Sequence, residues 1–146
     1  MKVEIRVDPG REAPEVVIFT DRVTPGIEAL AEQLRGGDAP TLTGYTERGA
    51  AFLPLADVIR LFAERQQVFA QTANGTYAVR QRLYALEEQL APHRFVRISH
   101  SEIVNARMIA GMDFSLAGTI RMRLRGGIET YASRRYVSKI RKLFDV

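Results

Sequence analysis

The chain contains no cysteine and no tryptophan. Without cysteine it has no disulfide, no thiolate metal ligand and no cysteine nucleophile. Histidine is scarce: His93 and His100 are the only two in 146 residues, and they do not form an H-E-x-x-H pair. Also missing are a P-loop, a G-x-G-x-x-G turn and a G-x-S-x-G elbow. The expectation is a protein that is not an enzyme, with no catalytic residue, metal site, cofactor or small-molecule substrate. Carboxylate acid–base chemistry, which needs no motif, is the one catalytic option left open. No apolar run is long enough to cross a bilayer. Met1-Lys2-Val3-Glu4 lacks the apolar stretch of a signal peptide, so the expected location is the cytoplasm.

Hydrophobic residues make up 46% and charged residues 26%, the balance of a soluble globular protein, and the length suits one domain or one domain plus a short appendage. The net charge of +4 is unevenly spread. Residues 1–46 hold five Lys or Arg against eight Asp or Glu, and residues 47–93 hold five of each. Residues 94–146 hold eleven against four, an excess of seven positive charges. A polyanion would be drawn to that end, although a solvated basic surface has the same composition.

Val3, Ile5 and Val7 alternate with Glu4 and Arg6, the period of a strand. Asp8-Pro9-Gly10 marks a turn, and Val16-Val17-Ile18-Phe19 reads as a second strand. Thr24-Pro25 opens a helix whose apolar stripe is Ile27, Leu30, Ala31 and Leu34, and Gly36-Gly37 ends it. The boundary to the next domain is expected within Gly36–Pro40. From Thr41 the pattern is mostly short strands: Thr41–Thr46 and Ala50–Leu53 around Arg48-Gly49, then Val58–Phe62 and Val68–Thr72. Asn74-Gly75 signals a hairpin ahead of Tyr77 and Val79. Leu83, Leu86 and Leu90 mark a helix that Pro92 stops.

The last hairpin can be read in register. Ile120, Met122 and Leu124 alternate with Arg121, Arg123 and Arg125. A two-residue Gly126-Gly127 loop would place Arg125 opposite Ile128 and mix the faces. A three-residue loop, Arg125-Gly126-Gly127, pairs Leu124 with Ile128 and Arg123 with Glu129, and keeps each face consistent. The chain then ends in a helix capped by Ser133. Tyr136, Val137, Ile140, Leu143 and Phe144 form its core stripe, and Arg135, Ser138, Lys139 and Lys142 its cationic one.

Three clusters carry candidate chemistry. Ala63-Glu64-Arg65-Gln66-Gln67 is a polar hinge between apolar strands, and Arg and Gln carry the forked groups that read guanine and adenine edges. Ser99-His100-Ser101 is a polar break between Phe95–Ile98 and Ile103-Val104. At Ser133-Arg134-Arg135 a strand meets a helix N-terminus, where free N–H groups, a hydroxyl and two guanidinium groups suit a phosphate. Each has a plainer reading: His100 as a turn residue, Ser133 as only a cap, Gln66 and Gln67 as a polar turn.

Taken in order, five pieces resemble the LytTR DNA-binding domain. They are Val58–Ala63, Asn74–Tyr77, Arg82–Leu90, Arg94–Asn105 and Ser133–Leu143, and the likeness runs from about Gly44 to Leu143. It implies an α+β, β-dominated fold: an antiparallel β module with short helices and no helix–turn–helix, preceded here by a ββα extension. The expected domains are 1–43, for dimerisation or partner binding, and 44–146, for DNA. The resemblance implies base contacts at Arg65 and Gln66, at His100 and at Arg135. It implies phosphate contacts around Ser101, Asn105, Ser133 and Lys139, with Arg134 beside them. This chain departs from many members in the Ser99-His100 turn and in having Gln66 at the hinge.

Roughly 43 residues before the module are too few for a typical domain, so the chain resembles the short stand-alone regulators of this family. That likeness implies bacterial transcription regulation through double-stranded DNA, by a homodimer and with a membrane-protein partner that restrains it. The competing class is a basic protein- or RNA-interaction module. RNA readers expose aromatic platforms, whereas Phe62, Phe69, Phe95 and Phe144 sit on apolar faces and read as core.

Overall fold

The computed structural model describes residues 1–35 and 40–146. The expected helix end at Gly36-Gly37 lies outside the described residues. The chain divides into two units, Met1–Ala39 and Pro40–Val146. The second unit therefore begins ahead of Gly44, because β1 (Thr41–Thr46) is already paired along its length with β2 (Gly49–Pro54).

In the first unit one helix forms, α1 (Pro25–Leu34). The Thr24 hydroxyl accepts a hydrogen bond from Ile27 N at 3.3 Å, and Pro25 takes the first helical position. The two expected strands do not form: Val3–Val7 and Val16–Phe19 have no ladder partner. The alternation is real, but a strand is stabilised by pairing, and nothing in this unit pairs with it. No described residue of the unit is buried. Val3, Ile5, Val7 and Phe19 are 78%, 88%, 88% and 93% exposed.

The second unit is built from antiparallel hairpins. After β1 and β2 come β3 (Val58–Glu64), β4 (Gln67–Thr72), β5 (Gly75–Val79), α2 (Leu83–Leu90), β6 (Phe95–Ser99), β7 (Glu102–Asn105), β8 (Ile109–Asp113), β9 (Ile120–Leu124), β10 (Ile128–Ala132) and α3 (Arg134–Phe144). Seven strands form one sheet in the order β2-β1-β5-β4-β3-β7-β6, and three form another, β10-β9-β8. Strand β8, with Gly111 at its centre, carried no clear signal in the sequence. The β4–β5 loop is Ala73-Asn74, with Gly75 already paired to Thr72 and at φ 149°, one residue earlier than the Asn74-Gly75 expectation. Gly44 lets β5 cross β1 closely, because a Cβ there would sit 2.7 Å from Tyr77 Cβ.

The β9–β10 hairpin has the register derived above: Leu124 faces Ile128 and Arg123 faces Glu129. Gly126 and Gly127 sit at φ 85° and 76°, which costs glycine little and other residues more.

Apolar side chains gather in two clusters. One holds Leu42, Leu61, Leu86, Leu90 and Ile103, with α2 supplying Leu83, Leu86 and Leu90. The other holds Ile98, Val104, Ile120, Met122 and Ile140, to which α3 contributes. Each fully buried side chain of this size contributes about 1.5–3 kcal/mol. Phe95 is core as expected, and Phe144 is half-buried against the second cluster. Phe62 and Phe69 are not core: they are half-buried outside both clusters and stack across β3 and β4 with ring centroids 5.5 Å apart. Leu143 also departs from the expected stripe, at 59% exposed.

Candidate nucleic-acid interface

The polar hinge is the tip of the β3–β4 hairpin. Glu64 pairs with Gln67, leaving a two-residue loop, Arg65-Gln66. Both lie in left-handed backbone, at φ 51° and 68°. Such loops match the twist of a hairpin and usually take Asn or Gly. Holding two long side chains there costs on the order of 1 kcal/mol or more per residue, a strain that collects at functional positions. Both residues are exposed.

The β6–β7 tip lies beside it. Ser99 pairs with Glu102, so His100-Ser101 form the loop, and both are exposed. Ala63 N donates to Ser101 O at 2.8 Å, which ties this loop to the base of the first tip. Arg97 holds it from beneath. Its Nε donates to Ser99 O at 2.6 Å and its Nη2 to His100 O at 2.5 Å. Arg97 is 9% exposed, with Glu87 Oε1 3.6 Å from Nη1. The charged residue inside the apolar run Phe95-Val96-Arg97-Ile98 was the signal for this buried support, and sequence reading passed over it.

The third feature is the start of α3. Ser133 N donates to Ile98 O at 2.9 Å, anchoring the helix start to β6. Ser133 occupies the N-cap position, but its hydroxyl makes no capping bond. The first N–H groups of a helix have no partner within it. Ser133, Arg134, Arg135 and Lys139 are exposed, as are Ser138 and Lys142. The three clusters named from the sequence are thus joined by two backbone hydrogen bonds around Ile98–Ser101.

Asn105 does not belong to this surface. It is 1% exposed. Its Nδ2 donates to Val58 O at 2.9 Å and Leu55 O at 3.4 Å, and its Oδ1 accepts from Arg107 N at 3.0 Å. The amide is spent on holding β7 to the chain before β3, so it is a structural residue and not a phosphate contact.

A second buried charge sits between the sheets. Arg60 Nε donates to Gln71 Oε1 at 2.6 Å and Arg60 Nη1 to Glu102 Oε1 at 2.5 Å, while Thr130 Oγ1 donates to Glu102 Oε2. Glu102 is 6% exposed. It joins β3 of the larger sheet to β10 of the smaller, below the tips, and Arg60 extends the network to Gln71 on β4. Among the described residues, the cations of the basic segment that form ion pairs are Arg97 and Arg121, while Arg134, Arg135 and Lys139, like Arg65 at the first tip, form none. No group of three or more His, Asp or Glu there could hold a metal, and no helix is long and apolar enough to cross a membrane.

Residues 49–145 match the LytTr DNA-binding domain family. The chain is 31% identical over 147 aligned positions to uncharacterized HTH-type transcriptional regulators of Staphylococcus aureus strains COL and MW2, covering 100% of this chain and 99% of theirs. Among solved structures, it is similar to the LytTr DNA-binding domain of a methyl-accepting/DNA response regulator from Bacillus cereus. That match has a TM-score of 0.71 at 24% identity and covers 75% of this chain and 100% of the other. The α1, α2 and α3 helices are each separated by strands, so no two of them are joined by a turn.

Proposed function

The chain belongs to the LytTr DNA-binding domain family, and on that footing we propose that it is a bacterial transcription regulator binding double-stranded DNA in a sequence-specific manner. The observation that carries this reading is the joining of two exposed hairpin tips and a helix start through Ala63 N–Ser101 O and Ser133 N–Ile98 O. Arg65, Gln66, His100 and Arg135 read base edges, since forked donors and acceptors on protruding backbone can enter a groove. Ser101, Ser133, Arg134 and Lys139 hold phosphates, with the helix start supplying N–H groups. The protein acts by binding and not by catalysis. It works in the cytoplasm as a homodimer on a repeated site. A restraining membrane-protein partner rests on resemblance to the short stand-alone regulators alone.

The test is a titration of the full chain against duplex DNA, single strands and structured RNA over a range of salt. Duplex should bind best, and each phosphate contact should add about 0.9 to the log–log salt slope. A flat slope, or a preference for RNA, contradicts the reading. The half-buried Phe62–Phe69 pair makes the RNA arm informative.

A further inference from the structure

The first unit presents an extended segment whose apolar side chains are covered by nothing. Val3, Ile5 and Val7 are 78%, 88% and 88% exposed, in backbone with no ladder partner. The Arg6–Glu4 ion pair at 3.0 Å places these two charges together, two residues apart, as strand geometry does. The order of residues here has a property that neither composition nor period reveals. Lys2-Val3-Glu4-Ile5-Arg6-Val7-Asp8 is complementary to itself when reversed. Turned antiparallel about Ile5, Glu4 meets Arg6, Lys2 meets Asp8, Val3 meets Val7, and Ile5 meets its own copy.

We propose that residues 2–8 of two copies pair as an antiparallel two-stranded ladder centred on Ile5, and that this ladder is a homodimer contact. Directly opposed residues of an antiparallel pair share a face. One face of the ladder then carries four opposite-charge pairs, and the other carries Val3, Ile5 and Val7 from both copies. The contact is isologous, as a two-fold dimer requires. A bare two-stranded ribbon is marginal in water, so its apolar face needs cover. The same unit offers a groove of about 620 Å³ between Val16–Val23 and α1, lined by Val17, Ile18, Ile27 and Ala31 among others. A unit with no buried residue among those described gains its cover by association, one of the routes open to small segments without a core. The proposal rests on the regulator reading only for why two protomers should meet, and it is tested without DNA.

The first experiment is sedimentation of the full chain. Glu4→Arg sets Arg against Arg, and Arg6→Glu sets Glu against Glu. Each single reversal should raise the dimer dissociation constant about tenfold or more, and the double variant Glu4→Arg/Arg6→Glu should recover to within about threefold of the parent. These residues are exposed, so folding is not at stake, and circular dichroism checks it. The second experiment uses the absence of native cysteine. Ile5→Cys places two thiols at a Cα separation that a disulfide spans, so it should crosslink to a dimer on mild oxidation. Val3→Cys alone should not, because four residues of offset separate its two copies by about 13 Å. Mixed with Val7→Cys it should crosslink. A parent that sediments as a monomer at every concentration, single reversals without effect, a double variant that is not rescued, or equal crosslinking at positions 3 and 5 would each overturn the ladder. None of these outcomes bears on duplex binding, which the titration above reads separately.

Discussion

Residues 1–35 and residues 40–146 both show apolar residues at strand and helix spacing, yet only the second region converts them into a core. In the second, Leu61, Ile98, Ile103 and Ile140 are fully buried. In the first, Ile5 and Phe19 are about as exposed as a side chain can be. The difference is not composition but partners. Each strand from β1 to β10 has a neighbour one short turn or one sheet layer away, while Val3–Val7 has none within its unit. Alternation shows that a segment is able to be a strand, and pairing decides whether it is one.

Deleting the same apolar mass in both regions should separate them most strongly. Leu61→Ala should cost about 3–4 kcal/mol in urea unfolding, because the site is closed on every side. Ile5→Ala, measured at a concentration where the chain is a monomer, should change unfolding by less than about 0.5 kcal/mol. Equal costs would mean that the first unit has a core after all.

The next prediction concerns the polar joint between the sheets. Glu102→Ala leaves Arg60 Nη1 and the Thr130 hydroxyl without their acceptor, though Arg60 Nε keeps Gln71, and should cost about 3 kcal/mol, a loss typical of breaking a buried pair from one side. Thermal unfolding of the variant measures it. No loss would mean that the two sheets are held by apolar packing alone.

Arg97 is the corresponding support for the proposed DNA-reading surface. Arg97→Met keeps volume but removes both donors to the His100 loop, and should cost about 1–3 kcal/mol. It should also reduce discrimination between a selected DNA site and a scrambled one, though Arg97 is itself too buried to touch DNA. Full discrimination in a folded Arg97→Met protein would show that the loop holds its shape unaided.

The smallest effect belongs to Asp113 at the end of β8. Hydrogen bonds from Ser115, then the charge and hydrogen bond of Arg121, hold its carboxyl below its ordinary value of 3.8. A depressed value means the carboxylate stabilises the fold above pH 3.8 and loses that contribution as pH falls through its own lower value. Asp113→Asn should therefore lower stability slightly near neutral pH and not at all in strong acid, as paired unfolding curves would show.

What could be read in the sequence follows the same divide. The Arg125-Gly126-Gly127 loop was legible because only one register keeps both faces of β9 and β10 consistent, which is a local constraint. The α2 helix was legible from its leucine stripe and the Pro92 stop, and α3 from its stripe and from Ser133 at its start, although that hydroxyl makes no capping bond. The tips at Arg65-Gln66 and His100-Ser101 were visible as polar breaks, but not the left-handed backbone of Arg65 and Gln66, for which Asn or Gly is the usual marker. Asn105, Glu102 and Arg97 were misjudged or missed because a polar residue looks the same in sequence whether it faces water or a buried carbonyl. Asn105 and Glu102 bond to Val58 and Arg60, 47 and 42 residues away, and only the sheet brings these together, whereas Arg97 bonds to His100 three residues on, across a turn whose fold the sequence pattern does not show.

On the proposed reading, exposed side chains on this frame read DNA sequence while others only hold phosphate. Arg135 lies in the first turn of α3 and Lys139 one turn further on, both exposed. The deciding measurement is a pair of titrations for each variant, one on a duplex selected from a random pool and one on its scrambled form. Arg135→Ala should lose about 1–3 kcal/mol on the selected duplex and much less on the scrambled one, while Lys139→Ala should weaken both alike and lower the salt slope by about 1. If Arg135→Ala weakened both duplexes equally, Arg135 would be a phosphate anchor and the assignment of the reading residue would be wrong.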